Sequence, residues 1–232
     1  MVLRVFLTGG SGTLGKELRR QSGDFKVEFI APSSKDCDVR DYGSVLKNIQ
    51  PFDGDVVLHS AALTNTKQIE LDASDAIEVN VIGTLNVLKA CKELDKKMIF
   101  ISTDYVFDGS VGDYGPNDLI NPLGKYAKTK ASAELLVRTY DNSLVIRTSF
   151  YGHEFPYPIA FYDQWSSKDY VDVIAPKVLE EIQKNKTGIS HVHSRKRTIY
   201  EIAKLKSPDV KAMSYEEFDF NLPRDTSLRS EK

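Results

Sequence analysis

The chain has 232 residues, of which 41% are hydrophobic and 28% are charged, so it can bury a full core and is not expected to be disordered. Its formal net charge of -2 and pI of about 6.1 provide no broad basic field for nucleic acid or an anionic membrane. The two cysteines, Cys37 and Cys91, lack CxxC spacing, and the four histidines form no ligand pattern. We therefore expect core thiols, a reducing compartment and no metal site.

From the N-terminus, short apolar runs alternate with segments of helical periodicity. The predicted strands are 3–7, 26–30, 55–62, 97–102 and 143–148, and the predicted helices are 13–21, 41–50, 73–94 and a helix from about 123 to 140. Five such alternations predict an α/β fold with a doubly wound parallel sheet. The first apolar run is too short for a signal peptide and no 18-residue apolar stretch follows, which predicts a soluble cytoplasmic protein.

After Thr148 the alternation loosens into an aromatic and proline-rich stretch. We predict a dinucleotide-binding domain over 1–149 and a small substrate lobe over 150–232. Within that lobe we expect a helix at 171–184, a strand at 188–192 and a helical turn at 199–204, with about 171–193 packing back on the sheet. The polar tail from Arg224 is expected to be loose unless it docks.

The segment TGGSGTLG follows the first strand and opens the first helix. Gly9, Gly12 and Gly15 have GxxGxxG spacing, which suits a tight turn, a close approach to phosphates and close packing of helix on sheet. The helix N-terminus at Thr13 and Leu14 then presents free N–H groups and a partial positive charge to a pyrophosphate. This arrangement predicts a dinucleotide site.

The second strand ends FIAPSSK, without the acidic residue that favours NAD by binding the adenosine ribose. The hydroxyls of Ser33 and Ser34 and the ammonium of Lys35 suit a 2'-phosphate, so we predict NADPH, with NADH as the alternative. Asp38 and Val39 lie further along, where a carboxylate can meet the adenine amino group.

Tyr126 and Lys130 lie one helical turn apart and follow Thr103, a hydroxyl residue at a strand end. A tyrosine ionises near pH 10 and exchanges protons poorly at neutral pH unless a neighbouring cation stabilises the phenolate. We predict that Tyr126 protonates a carbonyl oxygen, that Lys130 lowers its pKa and binds the nicotinamide ribose, and that Thr103 holds the same oxygen. Tyr200 and Lys204 have the same spacing, but no glycine turn precedes them, so we interpret them as a surface pair.

Two polar residues have two interpretations each. Asn80 either orders water near Lys130 at the cofactor site or is an ordinary packing residue. His59 ends the third strand near the crevice, where a lone histidine is more often hydrogen-bonded structure than a catalyst.

Several segments together resemble the extended short-chain dehydrogenase/reductases, and among them the dTDP-4-dehydrorhamnose reductase family. The resemblance is carried by TGGSGTLG, CDVRD (37–41), HSAALTNT (59–66), EVNVIGTLNVLKAC (78–91), STDYVFDG (102–109), NPLGKYAKTKASAE (121–134) and VIRTSFYG (145–152).

The resemblance implies reduction of a C4 ketone on a nucleotide-linked deoxysugar. It assigns residues to three groups: Thr103, Tyr126 and Lys130 as the catalytic set; Ala61, Ala62 and Leu63 along the cofactor; and Thr103, Asp104, Tyr105, Phe150 and Tyr151 near the sugar. Related dehydratases carry an Asp-Glu pair where this chain has Asp104 and Tyr105, which favours reduction over elimination.

The stretch after Thr148 is several dozen residues shorter than the resemblance leads us to expect. Two alternatives therefore stay open: a non-catalytic NADP-binding regulatory subunit resembling the methionine adenosyltransferase β subunit, and a nucleotide-sugar epimerase. The expected partner is a nucleotide sugar, with a homodimer as the candidate assembly and no nucleic acid or membrane.

Overall fold

Parallel strands form the central sheet of the protein. The structure is a computed structural model that describes residues 2–217 and 222–230. In chain order the strands are β1 (Leu3–Thr8), β2 (Val27–Ile30), β3 (Val56–His59), β4 (Lys97–Thr103), β5 (Ser143–Thr148), β6 (Phe150–Tyr151), β7 (Ile159–Phe161), β8 (Trp165–Ser166), β9 (Asp169–Tyr170), β10 (Gly188–His191), β11 (Arg197–Thr198) and β12 (Lys211–Met213). The main sheet has the order β10-β5-β4-β3-β1-β2, and all its pairs are parallel.

The helices lie between these strands. They are α1 (Thr13–Gln21), α2 (Tyr42–Ile49), α3 (Thr66–Leu71), α4 (Ser74–Ala76), a π-helix (Ile77–Ile82), α5 (Gly83–Glu93), α6 (Lys125–Val137), α7 (Val171–Gln183) and α8 (Ile199–Lys204), with 3₁₀ turns at Ser22–Phe25, Asp104–Val106 and Tyr215–Glu217.

Helices cover both faces of the sheet. On one face α1 and α7 pack against the apolar side chains of the strands in one buried cluster. On the other face α2, α5 and α6 pack in a second cluster. Every residue of β4 is buried, as expected for a central parallel strand. The predicted doubly wound α/β fold is confirmed.

Strand order explains where a ligand can bind. The chain leaves β1 to β2 on one side and later returns to β3 on the other side of β1. A crevice opens outside the carboxyl ends of the strands at such a reversal. Thr8, His59 and Thr103 end β1, β3 and β4, so they lie along this edge of the sheet.

Most predicted elements differ from the structure by a few residues at their ends, and two of the differences bear on the site. The predicted strand 55–62 ends at His59, and the next residue, Ser60, donates its backbone N–H back to the Thr8 carbonyl. The predicted single helix 73–94 is divided into α4, the π-helix and α5, because the Gly83 N–H bonds to the Glu78 carbonyl five residues earlier. The wider turn rotates Asn80 and its neighbours relative to α5.

Beyond β5 the chain builds short strand pairs and then returns to the sheet. The pairs are β6 with β9, β7 with β12 and β8 with β11, and they enclose a small apolar cluster that includes Tyr170 and Ile202. α7 then packs beside α1, and β10 pairs with β5 at the edge of the sheet.

The C-terminal segment 222–230 docks on the rest of the protein. Leu228 pairs with Tyr114, and Asp225 pairs with Trp165. The loop beneath the segment is glycine-rich where the two backbones approach: a Cβ on Gly109 would lie 2.6 Å from Pro223 Cβ, and one on Gly112 would lie 2.6 Å from Asp225 Oδ1. The predicted tail is therefore packed as far as Ser230, and Glu231 and Lys232 lie outside the described residues.

Both cysteines are buried free thiols, as predicted. Burial raises the pKa of Cys37 to about 11 and that of Cys91 to about 12. Within residues 2–217 and 222–230, no helix is both long enough and apolar enough to cross a membrane.

Candidate active site

The glycine turn lies between β1 and α1, against the end of β3. Gly9 has a φ of +75°, which favours glycine, and a Cβ there would lie 2.6 Å from the Ala61 backbone nitrogen. A Cβ on Gly15 would lie 2.6 Å from Gly10 Cα. Glycine is therefore required at both positions for the turn to fit between the sheet and the helix.

The N-terminus of α1 is free to bind an anion. Gly12 is its N-cap and supplies no side-chain hydrogen bond to the first turn. A Cβ on Gly12 would meet only the Gly9 carbonyl oxygen, at 3.3 Å, so the outer side of the turn is open. The N–H groups that begin at Thr13 and Leu14 have no helical acceptor. This open and uncapped turn fits the pyrophosphate of a dinucleotide.

The segment after β2 forms an exposed turn. Ser33, Ser34 and Lys35 are all exposed, and the Ser33 hydroxyl donates to Asp36 Oδ2 at 2.6 Å. Sequence reasoning passed over Asp36, whose carboxylate lies beside the predicted phosphate-binding hydroxyls.

Asp38 and Val39 follow this turn. The Arg40 guanidinium donates to both Asp38 oxygens at 2.6–3.1 Å, and this hydrogen bonding holds the pKa of Asp38 below its usual value. Val39 is buried, and a Cβ on Gly83 would lie 2.7 Å from Val39 Cγ2. The Val39 side chain is therefore part of the core, and its carbonyl accepts a hydrogen bond from Asn86 Nδ2 at 2.9 Å.

Asn80 in the π-helix links two parts of the crevice. Its Oδ1 accepts from the Leu63 backbone N–H at 2.8 Å, and its Nδ2 donates to the Leu63 carbonyl at 3.1 Å and to Thr129 Oγ1 at 3.0 Å. The buried amide thus ties the segment Ala61–Ala62–Leu63 to α6 through direct bonds.

His59 is hydrogen-bonded within the core. Its Nδ1 lies 2.7 Å from Thr8 Oγ1, and its Nε2 lies 3.0 Å from Thr84 Oγ1. Burial lowers the pKa of His59 to about 3, with Lys130 as a smaller cause. The ring is neutral at pH 7 and joins β1, β3 and α5, which favours the structural interpretation.

Thr103 and Tyr126 lie at the end of β4. Tyr126 lies in the first turn of α6, after the loop that follows β4. Burial is the main cause that raises the pKa of Tyr126; the Asp104 carboxylate raises it further, whereas the Thr103 side chain opposes the rise. The structure therefore brings two of the three predicted catalytic side chains to the same end of β4.

Lys130 is one turn further along α6 and is 3% exposed. Its Nζ donates to the Ile101 carbonyl at 2.7 Å and lies 4.1 Å from the Phe100 ring centroid. Burial lowers the pKa of Lys130 to about 7, and the Glu134 carboxylate opposes this change. Around neutral pH the amine is therefore only partly charged.

A buried ion pair joins α6 to β5. Arg147 on β5 and Glu134 on α6 are both inaccessible to solvent, and their closest atoms are 2.6 Å apart. The Ser102 hydroxyl also donates to Glu134, at 2.7 Å. Sequence reasoning missed this pair, although Tyr126, Lys130 and Glu134 recur every four residues and so share one helix face.

Asp104 is held by three hydroxyl groups. Its Oδ1 accepts from Thr103 at 3.3 Å, and its Oδ2 accepts from Ser166 at 3.3 Å and from Thr226 at 2.7 Å. The carboxylate next to Thr103 is therefore fixed by β8 and by the docked segment 222–230.

The other predicted sugar-site residues lie in the same region. The rings of Tyr105 and Tyr151 flank the Lys168 ammonium, and burial raises the pKa of Tyr151. Phe150 is half-buried and packs against the sheet cluster below.

Residues that sequence reasoning set aside form no second site in the described part of the chain. Lys204 lies over the Tyr200 ring at 5.7 Å and donates to the Pro208 carbonyl, as a surface pair would. Among residues 2–217 and 222–230, no three His, Cys, Asp or Glu residues form a group that could hold a metal ion.

The fold and the glycine turn define a Rossmann-type α/β protein. The family model of the RmlD substrate binding domain matches residues 3–179, which is more than half of the chain. The protein therefore belongs to the RmlD substrate binding domain family.

Curated relatives share the N-terminal part. The dTDP-4-dehydrorhamnose reductase of Aggregatibacter actinomycetemcomitans is 35% identical over 159 residues, which cover 66% of this chain and 54% of that protein. The methionine adenosyltransferase 2 subunit beta of Danio rerio is 33% identical over 143 residues, covering 56% and 42%. The chain spans about half the length of the curated relatives it matches.

Solved structures match over a longer part. A dTDP-4-dehydrorhamnose reductase from Clostridium acetobutylicum has a TM-score of 0.88 at 27% identity, covering 98% of this chain and 90% of that one. The dTDP-4-dehydrorhamnose reductase of Bacillus anthracis, solved in complex with NADP, has a TM-score of 0.87 at 25% identity, covering 100% and 92%.

Proposed function

We propose that the protein is an NADPH-dependent reductase that acts on the 4-keto group of a nucleotide-linked deoxysugar. The observation that carries the proposal is the Thr103–Tyr126 hydroxyl pair at the end of β4, on the edge of the sheet that also carries the open glycine turn. The names of the reductase relatives and the NADP complex of a structural neighbour support the substrate class and the cofactor.

Cofactor binding is assigned to residues that fit each part of NADPH. The glycine turn and the N-terminus of α1 would bind the pyrophosphate, and Ser33, Ser34 and Lys35 would bind the 2'-phosphate. Asn80 holds the Ala61–Leu63 segment along the cofactor. The bound cofactor supplies a hydride for the carbonyl carbon.

Proton transfer is assigned to Tyr126. The Thr103 hydroxyl orients the carbonyl oxygen, and Tyr126 gives its phenolic proton to that oxygen as the carbon is reduced. Lys130 would bind the nicotinamide ribose and place positive charge on α6, one turn after Tyr126. Tyr105 stands next to Asp104 where a dehydratase needs an acidic side chain, so the site supports reduction rather than elimination.

The test is an absorbance assay of NADPH oxidation against a small panel of dTDP- and UDP-linked 4-ketosugars. We expect turnover of at least one of them, with an alcohol at C4 of the product. Tight co-purification of NAD with no net cofactor consumption would indicate an epimerase and contradict the proposal.

A second candidate is a cofactor-binding regulatory subunit. It is favoured by the 33% identity with a methionine adenosyltransferase subunit beta and by the short match with the curated reductases. The result that would favour it is protein that binds NADPH and reduces no 4-ketosugar nucleotide, but changes the kinetics of a partner methionine adenosyltransferase.

A further inference from the structure

Lys168 is a buried lysine whose ammonium donors are not used within the described part of the protein. It lies between β8 and β9 and is 8% exposed. The two other buried lysines of the described chain donate hydrogen bonds: Lys97 Nζ to Asn185 Oδ1 at 2.9 Å, and Lys130 Nζ to a carbonyl of β4 at 2.7 Å. The Lys168 ammonium contacts two aromatic rings but, among the described residues, donates no hydrogen bond and forms no ion pair. Because buried polar groups are nearly always bonded, its three N–H donors indicate a ligand-binding role.

The two rings position the ammonium. Lys168 Nζ lies 5.1 Å from the Tyr105 ring centroid and 5.2 Å from the Tyr151 ring centroid, within the range of cation–π attraction. This attraction favours the charged form of an amine whose pKa is ordinarily about 10.4. Burial lowers the pKa of Lys168, but the oxygens of both tyrosines and the Asp104 carboxylate outweigh burial and raise it. The rings therefore hold a positive charge and leave its N–H donors free.

Lys168 Nζ is accessible from outside the protein. Among the described residues, the side-chain atoms that are both fully enclosed and without a hydrogen bond are Arg4 Nε, Thr148 Oγ1 and Arg197 Nε. Lys168 Nζ also has no hydrogen bond but is not one of these enclosed atoms, so it keeps a solvent-accessible surface. A ligand can therefore approach the ammonium.

The ammonium lies beside the catalytic end of β4. Tyr105, whose ring it contacts, is two residues after Thr103. A second connection runs through the backbone: the Lys168 N–H donates to Ser166 Oγ at 3.1 Å, and the Ser166 hydroxyl donates to Asp104 Oδ2 at 3.3 Å. The Asp104 carboxylate accepts from three hydroxyl groups and forms no ion pair with Lys168. Lys168 therefore supplies a positive charge next to the residues that are proposed to hold the ketone.

The proposed substrate has one group that fits such a cation. In a nucleotide-linked pyranose the diphosphate is attached at C1, across the ring from the C4 that is reduced. A ketone held at Thr103 therefore places the diphosphate one sugar ring away from that hydroxyl. Phosphate oxygens are strong acceptors, and lysine binds them as a compact positive charge. The pyrophosphate of the cofactor is assigned elsewhere, to the glycine turn after β1, which is two strands away from β4.

We propose that Lys168 binds the diphosphate of the nucleotide-linked sugar, with the rings of Tyr105 and Tyr151 positioning its ammonium. This inference rests on the proposed reductase function, because that function supplies the substrate. It adds to the substrate site a residue that belongs to no sequence motif. It also gives the protein two anion sites with different ligands: the N-terminus of α1 for the cofactor, and Lys168 for the substrate.

The test measures binding of dTDP and UDP by titration calorimetry, with NADP⁺ at saturation. These probes carry the diphosphate without the reacting sugar. We expect wild-type protein to bind at least one probe and Lys168→Met to weaken that binding about tenfold, as for the loss of one bond to a charged group. Lys168→Arg keeps the charge and should recover most of the affinity. Lys206→Met is the matched control, because Lys206 also lies over a tyrosine ring, that of Tyr170 at 4.5 Å, but forms an ion pair with Asp172.

Turnover assays give a second measurement. With a 4-ketosugar nucleotide that wild-type protein reduces, Lys168→Met should raise KM about tenfold and change kcat little, since the diphosphate is bound in the ground state and in the transition state alike. NADPH affinity should be unchanged in both Lys168 variants, because the cofactor phosphates bind at the glycine turn.

The other outcomes are distinguishable. A Lys168→Met protein that binds the probes with wild-type affinity overturns the inference, and so does a wild-type protein that binds neither probe or an equal loss of NADPH affinity. If thermal unfolding shows that Lys168→Met does not fold, Lys168→Gln replaces it under the same criteria. A wild-type protein that binds a probe through Lys168 but reduces no 4-ketosugar nucleotide overturns the proposed function while supporting a nucleoside diphosphate site at Lys168.

Discussion

The Thr226 hydroxyl donates a 2.7 Å hydrogen bond to Asp104 Oδ2, across 122 positions of sequence. This bond joins the docked C-terminal segment to the residue that follows Thr103. The segment is held nearby by the Leu228 backbone N–H, which donates to Ser167 Oγ at 2.8 Å. The C-terminal segment is thus part of the wall of the candidate active site.

Replacing Thr226 by valine should impair the site without removing the segment. Thr226→Val keeps the shape of the side chain but removes one hydroxyl donor to an Asp104 oxygen. The loss of a hydrogen bond to a charged group costs about 2 kcal/mol. We expect kcat/KM for the 4-ketosugar nucleotide to fall about tenfold. Thr226→Ser is the control and should retain most activity; equal losses in both variants would contradict the assignment.

Asn80 should contribute to both stability and cofactor binding. Asn80→Ala removes three hydrogen bonds and leaves Leu63 and Thr129 without their buried partner, so we expect a loss of about 2 to 3 kcal/mol in the free energy of unfolding. NADPH affinity should also fall, because the 61–63 segment loses its tie to the π-helix. Urea unfolding and fluorescence titration with NADPH measure the two effects.

Thr129→Val provides the comparison for Asn80→Ala. It removes the bond from Asn80 to α6 and the bond from the Thr129 hydroxyl to the Tyr126 carbonyl within the helix, and it leaves the two bonds to Leu63. Its cost should be about 1 kcal/mol, with a smaller effect on NADPH binding. If Thr129→Val weakens NADPH binding more than Asn80→Ala, Leu63 is not the important contact.

The cofactor preference should depend on Lys35. We expect Lys35→Ala to raise KM for NADPH about tenfold and to leave KM for NADH unchanged, since only NADPH carries the 2'-phosphate. Lys47→Ala, which removes an exposed lysine on α2, is the control. Equal effects on both cofactors would show that Lys35 does not bind the 2'-phosphate.

Acid should destabilise the protein through buried histidines. Burial lowers the pKa of His59 from 6.5 to about 3, and burial together with Arg147 lowers that of His191 to about 4. Both rings are neutral when folded but bind protons below pH 6.5 when unfolded, so stability is complete above pH 6.5 and is lost as the pH falls toward 4.

The expected slope is about 1.4 kcal/mol per pH unit for each histidine within this window. His59→Gln keeps a hydrogen-bonding side chain between Thr8 and Thr84. It should reduce the slope by the contribution of one histidine, about 1.4 kcal/mol per pH unit. Urea unfolding at several pH values between 4 and 7 measures it. A slope unchanged in His59→Gln would mean that the ring is already protonated in the folded protein.

Features that depend on local spacing could be predicted from the sequence. These features are the glycine turn, the strand-end hydroxyl of Thr103 and the position of Tyr126 at the start of a helix. Each follows from residues within a few positions of one another. The π-helix could not be predicted, because the apolar periodicity from 73 to 94 continues through it. The change lies in the backbone hydrogen bonds, such as that from the Gly83 N–H to the Glu78 carbonyl, which side-chain patterns do not report.

Features that depend on distant pairing could not be predicted. Segment 222–230 is polar. It packs closely because Gly109 and Gly112, more than a hundred residues earlier, have no side chains in its way. Lys168 belongs to no motif, and its position between the rings of Tyr105 and Tyr151 depends on residues far apart in the sequence. The position of Lys130 against Ile101 likewise depends on how α6 packs on β4.

The most direct test of the account is the rate of NADPH oxidation with a 4-ketosugar nucleotide by the wild-type protein and by Tyr126→Phe, with NADPH affinity measured in parallel. Phenylalanine fills the same space beside Thr103 but has no proton to give. We expect at least a hundredfold loss of kcat, on the order of a general-acid contribution, with NADPH affinity retained. Wild-type turnover by Tyr126→Phe would show that Tyr126 is not the proton donor.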